Sequence, residues 1–165
     1  MGRMSSPWLE SKTPVAPPSA ANPTVRQLLY AGVVTGAWSG LICLVIYLIG
    51  RIAGVTFEFV GLTSNSLLQV PWIIVLVLPL AAGVVGALLA SLVRGVRHAG
   101  RIVFWLGTLV AVASGLGPLT QPAQVGWSTR ILLVLMHLVT WFLVVPQIAR
   151  IVGDSEPGAS VDRGD

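Results

Sequence analysis

Few residues in this sequence could do chemistry, and His137 stands first among them. It is one of two histidines and falls in the uncharged stretch between Arg130 and Arg150, where an ionisable group marks a functional site by default. Imidazole can titrate near neutral pH, so a histidine at that depth could move a proton or hold a polar ligand. Arg130 lies two helical turns upstream, about 10 Å along the axis. Thr140 and Trp141 follow at i+3 and i+4, on the same face as His137. His137, Arg130 and Thr140 are therefore the candidate intramembrane polar site. The competing reading is a neutral imidazole hydrogen-bonded to a neighbouring hydroxyl, with Thr35, Ser39, Thr108 and Ser114 as partners. Arg130 can likewise snorkel to the headgroups, or pair with Glu58 across the outer face.

The surrounding residue types exclude most reactive chemistry. A metal centre or proton relay needs several convergent ligands, and no carboxylate accompanies His137 in any apolar stretch. No nucleophile stands beside an acid–base pair, so no catalytic, cofactor-binding or metal residues are assigned and no enzyme is expected. Cys43 is the sole cysteine; within hydrocarbon it reads as a small, protonated hydrophobe. The formal charge of +4 does not imply nucleic acid, because the basic residues are scattered and form no basic, aromatic-laced surface.

The elements that must position these residues are read from the charges. The chain is 55% apolar and 10% charged, too little polar surface to cover a soluble domain of this length. No charge occurs between Arg26 and Arg51, Glu58 and Arg94, Arg101 and Arg130, or Arg130 and Arg150. Each gap holds an apolar run of roughly 19 to 24 residues, long enough as helix to cross a hydrocarbon core of about 30 Å. Barrel strands would be shorter and alternating. The expectation is an all-α, four-helix transmembrane bundle with antiparallel neighbours, spanning 28–50, 70–93, 102–120 and 131–148.

Charge asymmetry orients the bundle. Of the ten Lys and Arg residues, Arg3, Lys12, Arg26, Arg94, Arg97, Arg101, Arg150 and Arg163 fall on one side. Arg51 and Arg130 fall on the other. The positive-inside tendency then places both termini in the cytoplasm. Residues 1–27, rich in Pro, Ser and Ala, read as a disordered cytoplasmic arm, and 151–165 as a disordered tail. Met1, Gly2 and Ser6 fit a myristoylation pattern, which a four-span chain does not need for anchoring. The outer loop 51–69 contains Val55, Phe57 and Phe59 alternating with Thr56 and Glu58, a short strand or interfacial segment. The short turn Arg94–Arg101 predicts that the second and third helices form an antiparallel hairpin. Its three arginines suit anionic headgroups.

Small residues mark the close approaches. Gly32, Gly36 and Gly40 form overlapping G-x-x-x-G units, and Gly107, Ala111 and Gly115 repeat the spacing in the third span. Both stripes predict close helix contact, within the chain or with a second molecule. Pro79 predicts a kink in the second helix. Gly115, Gly117 and Pro118 predict an unwound outer end of the third. Trp72, Trp105, Trp127 and Tyr30 read as interfacial anchors.

The stretches Tyr47–Val55, Arg94–Arg101, Leu135–Val139 and Val145–Arg150 resemble an uncharacterised family of small actinobacterial membrane proteins, classed only as a domain of unknown function. The resemblance covers about 25–150. It implies a four-helix protein of the plasma membrane with a histidine in its last helix, here His137, and it supplies no activity. Two functions remain open. One is a non-enzymatic membrane component or accessory subunit, whose partners are the lipid bilayer and a homo-oligomeric copy or another membrane protein. The other is a binder or transporter of lipid or a small molecule around His137.

Overall fold

The computed structural model describes residues 23–61 and 66–153. Within them the chain runs α1 (Val25–Ile52), β1 (Glu58–Val60), β2 (Leu67–Gln69), α2 (Trp72–Leu92), α3 (Ala99–Leu119) and α4 (Trp127–Gly153). The myristoylation pattern, most of the amino-terminal arm and most of the tail lie outside the described residues.

All four helices are long and apolar enough to cross a membrane. The 21 residues of α2 and of α3 make about 32 Å of helix, matched to the hydrocarbon core. The 28 residues of α1 and 27 of α4 exceed it by roughly 10 Å. The extra turns are why the observed helices begin earlier and end later than the uncharged runs. Arg26 and Arg150 remain helical because a headgroup layer tolerates charge where hydrocarbon does not. Residues 25–27 and 151–153, expected in the disordered termini, are thus helical. Thr24 starts α1 with a capping box, its hydroxyl accepting from the Gln27 amide while the Gln27 side chain accepts from the Thr24 amide.

The helices are not equal partners. Packing is heaviest between α1 and α2, then between α3 and α4, and α4 also lies against α1 and α2. The expected α2–α3 hairpin does not form as a packed pair, since those two helices scarcely touch. A short turn keeps their ends together but leaves the axes free to diverge, and α4 takes the place beside α2. Two apolar clusters follow from this arrangement. Towards the termini, Leu28 of α1, Ala87 and Ala90 of α2, Ala99 of α3 and Ile148 and Val152 of α4 share one core. Towards the other end, Cys43, Phe57, Val75 and Met136 form a second core to which α3 contributes nothing. The shared first cluster also puts the start of α1 and the end of α4 at the same end of the bundle.

The glycine stripes are consumed inside the chain. A methyl group added to Gly36 would lie 2.8 Å from the Pro79 carbonyl oxygen, and one on Gly40 2.5 Å from that of Leu76. Gly32 and Gly83 meet backbone to backbone. Such contact brings Cα–H groups onto carbonyl oxygens, a weak but repeated attraction. On α3, a methyl on Gly107 would strike Val145 of α4 at 2.8 Å. Gly115 faces the His137 Cβ. The expected unwinding of the α3 outer end does not occur: the helix runs unbroken through Gly115, Gly117 and Pro118 to Leu119.

Candidate functional site

The polar side chains within the spans sit in two seams on either side of α4. In the α1–α4 seam, Ser39 is fully buried and its hydroxyl donates to Thr140 Oγ1 at 3.0 Å. Thr140 in turn donates to the Met136 carbonyl at 2.9 Å. The Cys43 thiol lies 3.6 Å from that carbonyl and 3.9 Å from Thr140 Oγ1. Hydroxyls that return their proton to a carbonyl one turn back remove an unsatisfied donor from an apolar setting.

The α3–α4 seam carries the other polar groups. Trp141 Nε1 donates to Thr108 Oγ1 at 3.0 Å, beside the Phe104 ring. One turn outward, His137 Nδ1 lies 2.8 Å from the Leu133 carbonyl of its own helix. A carbonyl only accepts, so Nδ1 is the donor in this contact. The expected hydroxyl partners are therefore engaged elsewhere. Ser39 serves Thr140, Thr108 serves Trp141, and Thr35 and Ser114 bond carbonyls of their own helices. His137 is satisfied by backbone because an i−4 carbonyl lies within reach of its ring on the same helix.

Arg130 occupies the outer end of this seam and is 7% exposed. Neither expectation for it holds. It does not snorkel outward, and it does not pair with Glu58, which instead receives the Thr56 hydroxyl. Its guanidinium reaches back over the turn 120–126. Nε donates to the Val125 carbonyl at 3.1 Å, one terminal nitrogen to Pro122 at 2.7 Å, and the other to Leu119 at 3.4 Å. Leu119 ends α3, so its carbonyl is one of the orphan acceptors at the negative end of that helix. Arg130 is a cap for α3 supplied by α4. The Trp127 ring lies against the guanidinium at 4.7 Å, an attraction that partly replaces lost hydration.

The loop between α1 and α2 forms a clasp that sequence reasoning did not anticipate. Glu58–Val60 pairs antiparallel with Leu67–Gln69, giving the suspected strand a partner. Phe57, just before it, is fully buried, its ring tilted against Tyr47 with centroids 4.6 Å apart. Its ring fits only because Gly50 lacks a side chain: a methyl there would lie 2.6 Å from the ring. Phe57 has a φ of 50°, an uncommon conformation for a bulky residue. The Tyr47 hydroxyl donates to the Val70 carbonyl at 3.0 Å, and the Val70 amide donates to Phe57 at 2.8 Å. The Gln121 side chain accepts from the Val60 amide at 2.8 Å, joining clasp to the turn that Arg130 holds. No signal in the residues alone would have placed Phe57. A second omission was legible: Ala149 and Gly153 have small-residue spacing, and both lie against Gly100.

The three candidate site residues thus do not converge. His137 and Arg130 share the α3–α4 seam two turns apart, whereas Thr140 turns into the α1–α4 seam. Among the described residues, no group of three His, Cys, Asp or Glu side chains could hold a metal ion.

Four apolar helices of crossing length, packed through glycine contacts and with their polar side chains turned into internal seams, define a multi-pass membrane protein. The chain belongs to a family of unknown function, DUF6069, whose profile matches residues 23–154. No curated protein matches the chain. No solved structure matches it either.

Proposed function

We propose that the protein is a non-enzymatic membrane component that works by associating with another membrane helix at the open face of α3. The observation that carries this reading is the position of α3. It rests on α4 alone through most of its length, and none of its spanning window is buried. The two stripes Gly32–Gly36–Gly40 and Gly107–Ala111–Gly115 are already turned to α2 and α4. Ala113 and Gly117 remain, exposed on the other side of α3 at small-x-x-x-small spacing. A Cβ at Gly117 meets nothing within 4 Å, so a second backbone can approach there.

The engagement of Ser39, Thr108, Arg130, His137, Thr140 and Trp141 in structural hydrogen bonds supports a role without catalysis. The alternative, a binder or transporter centred on His137, has less support, because Arg130 and Thr140 do not face the imidazole. Basic residues at the ends of the helices support a plasma-membrane protein with both termini in the cytoplasm.

The test is a photo-crosslinking amino acid placed at 113 or 117 in native membranes, with position 77 on the outward side of α2 as control. The expected outcome is a protein adduct from 113 and 117 and none from 77. An adduct of twice the chain mass identifies a second copy; any other discrete mass identifies a partner. Adducts confined to lipid at all three positions overturn the reading.

A further inference from the structure

Between the first turns of α1 and the last turns of α4 lies an open groove of about 710 Å³. Arg26, Gln27, Tyr30, Val34, Gln147 and Ile151 are among the residues that line it.

The depths of the polar groups are informative. Arg26 is in the first turn of α1, at headgroup level. Gln147 lies about 9 Å inside the end of α4, where the bilayer passes from headgroup to ester linkages and chains. Its side chain is exposed and has no partner among the described residues. The Arg26 guanidinium likewise has none among them. An unpaired amide facing hydrocarbon is costly, so an occupant with an acceptor at that depth is favoured.

We propose that this groove seats one anionic phospholipid, its phosphate at Arg26, its ester carbonyl accepting from the Gln147 amide and one acyl chain along Val34 and Ile151. Charge favours this occupant over a zwitterionic lipid, because Arg94, Arg97, Arg101 and Arg150 crowd the same end of the bundle. It also favours lipid over an apolar helix from another molecule, which would bring no negative charge to Arg26. The inference is independent of association through α3, which uses a different face.

The probe is native mass spectrometry of the full chain extracted from phosphatidylcholine nanodiscs with and without added phosphatidylglycerol. The wild type is expected to retain one phosphatidylglycerol per chain in preference to phosphatidylcholine. Arg26→Ala should weaken that retention about fivefold, the worth of one basic residue at an anionic surface. Gln147→Leu should weaken it by a similar factor, the worth of one hydrogen bond. Both positions are exposed, so the variants should keep the wild-type melting temperature. Equal retention of the two lipids, retention unchanged by both variants, or displacement of the lipid by inorganic phosphate overturns the proposal.

Discussion

At the scale of single residues, Arg130 separates what can be read from a sequence from what cannot. Its place at the end of the fourth span was legible from the charge gaps. Its partners were not, because three carbonyls from one turn become acceptors only when the chain reverses between α3 and α4. Replacing it by Met strips those carbonyls of their shared donor at the end of a helix. Arg130→Met should cost about 3 kcal/mol of stability, the upper range for hydrogen bonds to a charged group. Arg130→Lys should recover only part, because one ammonium cannot address three acceptors spread over a planar fork. Melting temperatures in detergent in the order wild type, Lys, Met check this; a Met variant as stable as wild type refutes the capping role. His137 is the contrasting case. Its bond is local to α4, so His137→Leu should cost only about 0.6 kcal/mol, the mean for a side-chain hydrogen bond within a membrane. A larger loss in the same melting assay would mean that Nε2 has a partner essential to the fold.

At the scale of elements, spacing revealed which helix faces are small but not which helix meets them. Gly32, Gly36 and Gly40 were recognisable as a close-contact stripe, yet nothing in the spacing names Gly83, Pro79 and Leu76 on α2 as the opposing surface. The α2–α3 hairpin was misread for a related reason: loop length constrains helix ends and says little about the path of the axes beyond them. The contact surfaces predict a sharp asymmetry between two glycines. Gly36→Leu must displace the Pro79 and Leu80 backbone, with an overpacking cost of about 3 kcal/mol, and should abolish the monodisperse folded peak in size-exclusion chromatography. Gly117→Leu meets open space within the chain and should keep a monodisperse folded species, displaced to the monomer volume where a second copy docks on α3, while gaining roughly 1 kcal/mol of helix propensity. If both variants behave alike, the α1–α2 interface is not the tight contact described. The clasp yields a further comparison. Phe57→Gly relieves a left-handed conformation worth about 1 kcal/mol but removes a ring whose burial is worth roughly 4 kcal/mol. A net loss of about 3 kcal/mol is expected in the same chromatographic and melting assays.

At the scale of the whole molecule, four uncharged gaps were enough to count the helices, because hydrocarbon thickness is a physical ruler. The central place of α4 was not legible, since all four runs are similarly apolar and only packing distinguishes them. Orientation depends on charge, and the structure sharpens that argument. Arg26, Arg94, Arg97, Arg101 and Arg150 gather at the end where α1 starts and α4 stops, whereas Arg130 is folded inward onto carbonyls. That leaves Arg51 as the basic side chain exposed at the opposite end among the described residues. Retaining arginine-bearing segments in the cytoplasm is favoured during insertion. Fusions of a fluorescent protein that matures only in the cytoplasm should therefore light at either terminus and stay dark when inserted at residues 62–65 between the clasp strands. Replacing Arg94, Arg97 and Arg101 with Ala removes the basic turn between α2 and α3 at the expense of one long hydrogen bond, from Arg94 to the Pro23 carbonyl at 3.4 Å. It should raise the fraction of molecules with a misplaced α2–α3 turn without lowering the melting temperature of correctly inserted protein. A bright insertion at 62–65 with dark termini would invert the orientation and show that the arginine clusters at the terminal face do not set it.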